Sequence, residues 1–97
     1  MILVTTAGKV GAEAARLLAA RQMPVRVLVR DPGKVKALAD VGAEIAVGDL
    51  DVPAALDAAM AGVTAVILVS PAVPGQELNV IASAARAGVG HVVKATS

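Results

Sequence analysis

Residues 1–18 read MILVTTAGKVGAEAARLL, and the fold follows from how this stretch must be divided. Ile2, Leu3 and Val4 form an apolar run too short for a helix and β-branched enough for a buried parallel strand. A turn of small residues comes next. Thr5, Gly8 and Gly11 stand three apart, and from Val10 the apolar residues Val10, Ala14, Leu17 and Leu18 recur along one helical face. Strand, tight turn and helix therefore follow one another directly.

A helix that starts immediately beyond a buried strand aims its free N–H groups and its positive dipole end at the strand's carboxyl edge, where an anion can sit. A dinucleotide-binding turn uses three glycines: for the turn, for close approach of the pyrophosphate, and for helix–strand packing. Gly8 and Gly11 keep the spacing of the last two, while Thr5 stands in place of the first. Lys9 and Val10 open the helix, and a cation there opposes the dipole unless an anion offsets it. The other reading of the turn is geometric, with the glycines serving only a tight βα connection. A nucleoside triphosphatase loop is excluded, because Val10 follows Gly8-Lys9 where that loop needs Ser or Thr.

Outward from this unit the pattern repeats. Gln22 to Pro24 is a turn, and VRVLV (25–29) is a second strand ending at Arg30. Asp31 and Pro32 are a cap and first-turn proline for a helix whose stripe is Val35, Leu38 and Ala39, closed by Gly42. AEIAV (43–47) is the third strand, leaving through Gly48, Asp49 and Leu50. Asp51 and Pro53 then start a helix that buries Leu56, Ala59 and Met60 and stops at Gly62. TAVILV (64–69) has the continuous apolarity of a strand covered on both faces. Residues 70–76, with Pro71, Pro74 and Gly75, form a loop, and the fourth helix is expected to bury Leu78, Ile81, Ala82 and Ala85 before stopping at Gly88. HVVKA (91–95) is the fifth strand.

Five strands alternating with four helices at a period of about 20 residues are consecutive βαβ units, not leucine-rich repeats, whose L-x-x-L-x-L frame is missing. The expected architecture is an α/β, doubly wound parallel sheet in order 3-2-1-4-5, in three α/β/α layers, with its switch point between strands one and four. Residues 1–97 make a single Rossmann-like domain.

Composition narrows the function classes. Hydrophobic residues reach 57% with no Phe, Tyr or Trp, so the core is aliphatic and no aromatic ring is available to stack on bases. A net charge of +1 with signs interspersed gives no nucleic-acid face. With no cysteine and one histidine, neither a disulfide framework nor a zinc site is indicated, and a cytoplasmic setting is expected. Apolar runs break before the ~18 residues of a membrane span.

The segments ILVTTAGKVG, VRVLVRDPGKVKAL, GAEIAVGDLDVPAALDAAMAGV and HVVKATS together resemble the N-terminal part of the NmrA-like family, a branch of the atypical short-chain dehydrogenase/reductases. The resemblance implies an NAD(P)-binding oxidoreductase or a cofactor-sensing regulator, and family members continue well beyond the fifth strand. It implies that Gly8 and Gly11 hold the pyrophosphate, that Arg30 selects between NAD and NADP, and that Asp49 and Leu50 lie beside adenine. The alternative is a non-catalytic fragment or half-domain.

The residues themselves leave choices. Arg30 follows the glycine turn by about 20 residues, where a guanidinium grips a ribose 2′-phosphate and so favours NADPH; otherwise it is a solvated arginine paired with Asp31. Lys34, one turn further, is placed to assist. Asp49 either accepts from the adenine amino group or makes ordinary turn bonds. Ser70, at the tip of the fourth strand, shapes the passage for the nicotinamide end. Catalytic residues are not assigned: the chain has no tyrosine, and Lys94 has no candidate partner. His91 is read as a core or solvent-facing residue. The open fifth strand and the fourth helix are expected to pair with a second copy as a homodimer.

Overall fold

The computed structural model describes residues 1–5, 9–30, 33, 36–40, 42–69 and 74–95, with the backbone alone at Lys9, Ala37, Leu38 and Pro74. Strands and helices alternate as β1 (Ile2–Val4), α1 (Lys9–Ala20), β2 (Val25–Val29), α2 (Lys36–Asp40), β3 (Glu44–Val47), α3 (Pro53–Ala59), β4 (Ala65–Val69), α4 (Pro74–Ala87) and β5 (His91–Ala95). The five strands form a single sheet in order β3-β2-β1-β4-β5. Every neighbouring pair is parallel, with Val4 opposite Val27 on one side and Ile67 on the other. The expected doubly wound order is therefore the observed one.

Two-residue alternation along the strands divides the core between the faces of the sheet. Leu3, Leu28, Val66 and Leu68 point to one face, where Leu56, Ala59 and Met60 around α3 and Val80 and Ala84 of α4 cover them. Val4, Val27, Val29 and Val69 point to the other and meet Ala15 of α1, with Val10, Leu18 and Ala19 packed around it. The larger leucines fill the space under two helices; the valines lie under small residues, which bring α1 close to the sheet. Gly42, Gly62 and Gly88 end their helices at positive φ, as their positions in the sequence predict.

Several local expectations need correction. The buried positions of α4 are Val80, Ser83 and Ala84, whereas Leu78, Ile81, Ala82 and Ala85 face outward, with Leu78 65% exposed. Apolar side chains run around most of this helix, and the face that meets the sheet is the one carrying the smaller residues. α4 also starts at Pro74, inside the expected loop, because a proline fits the first turn, where no N–H is needed. In α1, Leu17 is half exposed and Ala15 takes its place in the seam. Asp51 does not cap α3: the N-cap is Val52, with no side-chain cap bond. Ala39 of α2 is exposed; its expected neighbours in that stripe, Val35 and the side chain of Leu38, lie outside what is described, as do Asp31 and Pro32.

Polar clamps join the layers. Arg26, on β2, sends its guanidinium to the carbonyls of Ala59 and Ala61 at the end of α3 and its Nε to Glu44 at 3.0 Å. A cation there satisfies carbonyls that the helix leaves unpaired. Asp57 of α3 accepts from the buried Ser83 hydroxyl and from Arg86 at 2.8 Å, both on α4. Lys94 of β5 does have a partner, Glu77, at 3.1 Å.

The Arg86 guanidinium and then the Ser83 hydroxyl hold the Asp57 carboxyl below its ordinary value. A carboxylate depressed in the folded state stabilises fully above the unfolded value, and that contribution is lost as pH falls through the folded one. Asp57→Asn should therefore lower the urea midpoint at pH 7, and the gap from the parent chain should begin to narrow as pH falls below the ordinary Asp value of about 3.9 and close once pH is below the depressed folded one. Circular dichroism across this pH range measures this; an equal gap throughout would show that the charge of Asp57 is not what holds α3 to α4.

Candidate functional site

The carboxyl ends of β1, β2, β3 and β4 lie along one rim of the sheet, and the order places β1 between β2 and β4, where consecutive connections leave to opposite faces. A crevice opens at such a switch point. α1 starts soon after β1, with Val10 half-buried and Gly11 buried in its first turn. Its N-terminus is thus aimed at the rim, as anion binding requires. Gly8, Lys34 and Ser70, expected contributors to this site, lie outside the described residues, as does the side chain of Lys9.

Thr5 is buried at the end of β1, and its hydroxyl makes two bonds to one residue across the switch point. It donates to the Val69 carbonyl and accepts from the Val69 N–H, each at 3.0 Å. One rung earlier the Thr5 N–H donates to Ile67 at 3.2 Å. The hydroxyl so acts in place of a further peptide group and extends the β1–β4 ladder after the two backbones have ceased to pair. Glycine has no atom for this. The residue that departs from the three-glycine spacing is therefore a structural closure of the crevice floor, with its hydroxyl already committed to Val69.

Arg30 stands at the tip of β2, its side chain 76% exposed. Its Nε lies 3.5 Å from Oδ2 of Asp49, at the tip of the neighbouring β3. Two residues that the sequence singled out separately are thus a pair, and Asp49 is the partner of Arg30 among the described residues. The other oxygen of Asp49 accepts the Asp51 N–H at 2.8 Å, the turn bond that the sequence left as one of two readings. Leu50 turns its side chain into the core, and its carbonyl accepts from Asn79 at 3.0 Å. Gln76 reaches Asp51 at 3.3 Å. Val69, Gln76 and Asn79 had no local signal in the sequence, because each acts on a partner at least 25 residues away.

His91 is exposed at the start of β5, at the opposite end of that strand from the rim. Among the described residues no group of His, Asp or Glu converges to hold a metal ion, and no helix is long and apolar enough to cross a membrane.

Thr5→Val keeps the shape of the side chain and leaves the N–H and carbonyl of Val69 without their partner. This should cost about 2–4 kcal/mol in urea unfolding, against about 1 kcal/mol for Thr5→Ser, which keeps the hydroxyl and loses one buried methyl. Equal losses in the two variants would mean that packing, not the hydroxyl bridge, holds β1 to β4.

Comparison with known proteins agrees with this geometry. Residues 6–97 match the model of a family described as NAD(P)H-binding. An NAD(P)H azoreductase from Xenophilus azovorans is 39% identical over 99 residues, covering 99% of this chain and 35% of the relative. The structure of an NADPH-dependent quinone oxidoreductase from Escherichia coli in complex with NADPH superposes with a TM-score of 0.85 at 32% identity, over 97% of this chain and 36% of the other. A Citrobacter triphenylmethane reductase in complex with NADP(H) gives 0.83 at 31% identity, over 97% and 36%. The chain spans about a third of the length of these relatives.

Proposed function

Because the chain belongs to the NAD(P)H-binding family, in keeping with its resemblance to the NmrA-like group, we propose that it is the dinucleotide-binding part of an NADPH-preferring reductase. The cofactor fits what is present. A helix start faces the rim beside a switch point, Gly11 is buried in its first turn, and a three-quarters exposed guanidinium stands at the tip of β2. In this reading the α1 N-terminus, with Gly8, Lys9, Val10 and Gly11, holds the pyrophosphate. Arg30, with Lys34, meets the ribose 2′-phosphate, Asp49 and the backbone of Leu50 flank adenine, and Thr5 and Ser70 shape the crevice toward the nicotinamide. When bound, the cofactor supplies a hydride.

The observation that carries the preference is the position of Arg30. A guanidinium makes two parallel bonds to a phosphate, whereas it has less to offer a ribose hydroxyl. The role of these residues in this reading is to bind and orient the cofactor. The reductases named above favour the oxidoreductase reading over a sensor that binds without turnover. A cytoplasmic setting, where reduced nicotinamide cofactors are available, follows from it.

Calorimetric titration with NADPH and NADH at low and moderate salt tests the preference. Arg30→Ala should weaken NADPH about tenfold to a hundredfold and leave NADH nearly unchanged, the loss of one charge-assisted pair of bonds. Preference that survives the substitution would overturn the role of Arg30.

The same reading includes a symmetric dimer. β5 is an edge strand with Val93 61% exposed, and Leu78 and Ile81 leave apolar surface on α4. The Glu77–Lys94 pair ties the first turns of α4 to the end of β5, so edge and patch form one continuous surface. A second copy presenting the same surface satisfies both. Sedimentation across a concentration series should show a dimer that Val93→Lys dissociates; a monomer at all concentrations would remove this part of the proposal.

A further inference from the structure

Asp49 is held more firmly than the arginine it meets. Gly48, just before it, packs so closely under α3 that an added Cβ would come 2.9 Å from the Ala55 Cβ and 3.2 Å from Leu28 Cδ1. The Gly48 N–H donates to Val29 at 2.9 Å, tying the turn to the end of β2. Beyond it, Asp49 Oδ1 accepts from the Asp51 N–H, and the Asp49 carbonyl accepts from Val52 at 2.9 Å. Only Oδ2 is left for Arg30, whose long side chain extends into solvent. The carboxylate is the more closely held member of the pair, bonded within its turn and 35% exposed, and the guanidinium is the more exposed one.

From this asymmetry we infer that Asp49 sets how strongly the site discriminates between NADPH and NADH, by competing with the 2′-phosphate for Arg30. The inference rests on the reading of Arg30 given above. A 2′-phosphate at the tip of β2 must draw the guanidinium away from Oδ2, or share it, and then lies near a negative charge that the Asp51 N–H holds in the turn. A 2′-hydroxyl meets no such opposition: it donates, and Oδ2 is an acceptor. The pair therefore weakens the advantage that Arg30 gives to NADPH and keeps NADH a usable ligand. Asp49 acts on the phosphate through Arg30 and is a specificity-determining residue beyond any contact it makes with adenine.

Asp49→Asn removes the charge and retains an oxygen for the Asp51 N–H, so the turn is kept. Titration of the chain with NADPH and NADH, on the parent, Asp49→Asn and Arg30→Ala, reads the ratio of the two affinities, with thermal unfolding by circular dichroism to establish that each variant is folded. The ratio in favour of NADPH should rise about two- to fivefold in Asp49→Asn, the scale of one exposed charge interaction. The rise should shrink as salt is added. A merely structural role would weaken both cofactors alike and leave the ratio where it was. An unchanged or lower ratio in Asp49→Asn, with the preference lost in Arg30→Ala, would overturn the inference and leave the role of Arg30 standing. Preference retained in Arg30→Ala would remove both.

Discussion

The bond pair between the Thr5 hydroxyl and Val69 is the constraint on which the site depends. Two parallel strands whose connections leave to opposite faces must part at their carboxyl ends, and parting exposes peptide groups in the floor of the crevice. A single buried hydroxyl, donating and accepting at 3.0 Å, satisfies both groups of Val69. This holds the ends of β1 and β4 together beyond their last backbone pair. The residue that looks like a flaw in a glycine motif is the one that joins the two central strands at the switch point.

Around that floor the core is built without a single aromatic ring. Leucines fill the face under α3 and α4, and valines the face under α1, where Gly11 and Ala15 allow close approach. Such a core depends on many short contacts rather than a few large ones, and the polar clamps gain importance accordingly. Arg26 holds the end of α3 to β2 and β3, while Asp57 holds α3 to α4. These clamps stabilise the far side of the sheet from α1, so the β3–α3 turn that carries Asp49 is supported from below.

At the rim, burial and mobility are divided between partners of opposite charge. Asp49 belongs to a turn fixed by Gly48, Asp51 and Val52, whereas Arg30 reaches it from the end of a flexible side chain. A closely held acid and an exposed cation meet here through the parallel register of β2 and β3 and the turn that follows: Val29 is opposite Val47, so Arg30 emerges beside Gly48 and its long side chain reaches Asp49, one residue further on.

The sequence by itself determined the alternation of elements, the strand order and the glycine stops, because each of these rests on periodicity or on backbone conformations open to few residue types. It also marked Arg30 and Asp49, through their positions after strands. It left the α4 face wrong, since a helix with apolar residues on several sides has no single stripe, and the sheet accepted Val80, Ser83 and Ala84 because small side chains permit the closer approach. It treated Thr5 as a departure from a pattern, and Arg30 and Asp49 as separate candidates. Only the tertiary structure joined Thr5 to Val69 and Arg30 to Asp49, because hydrogen bonds and ion pairs between residues far apart in the chain have no period and leave no local trace.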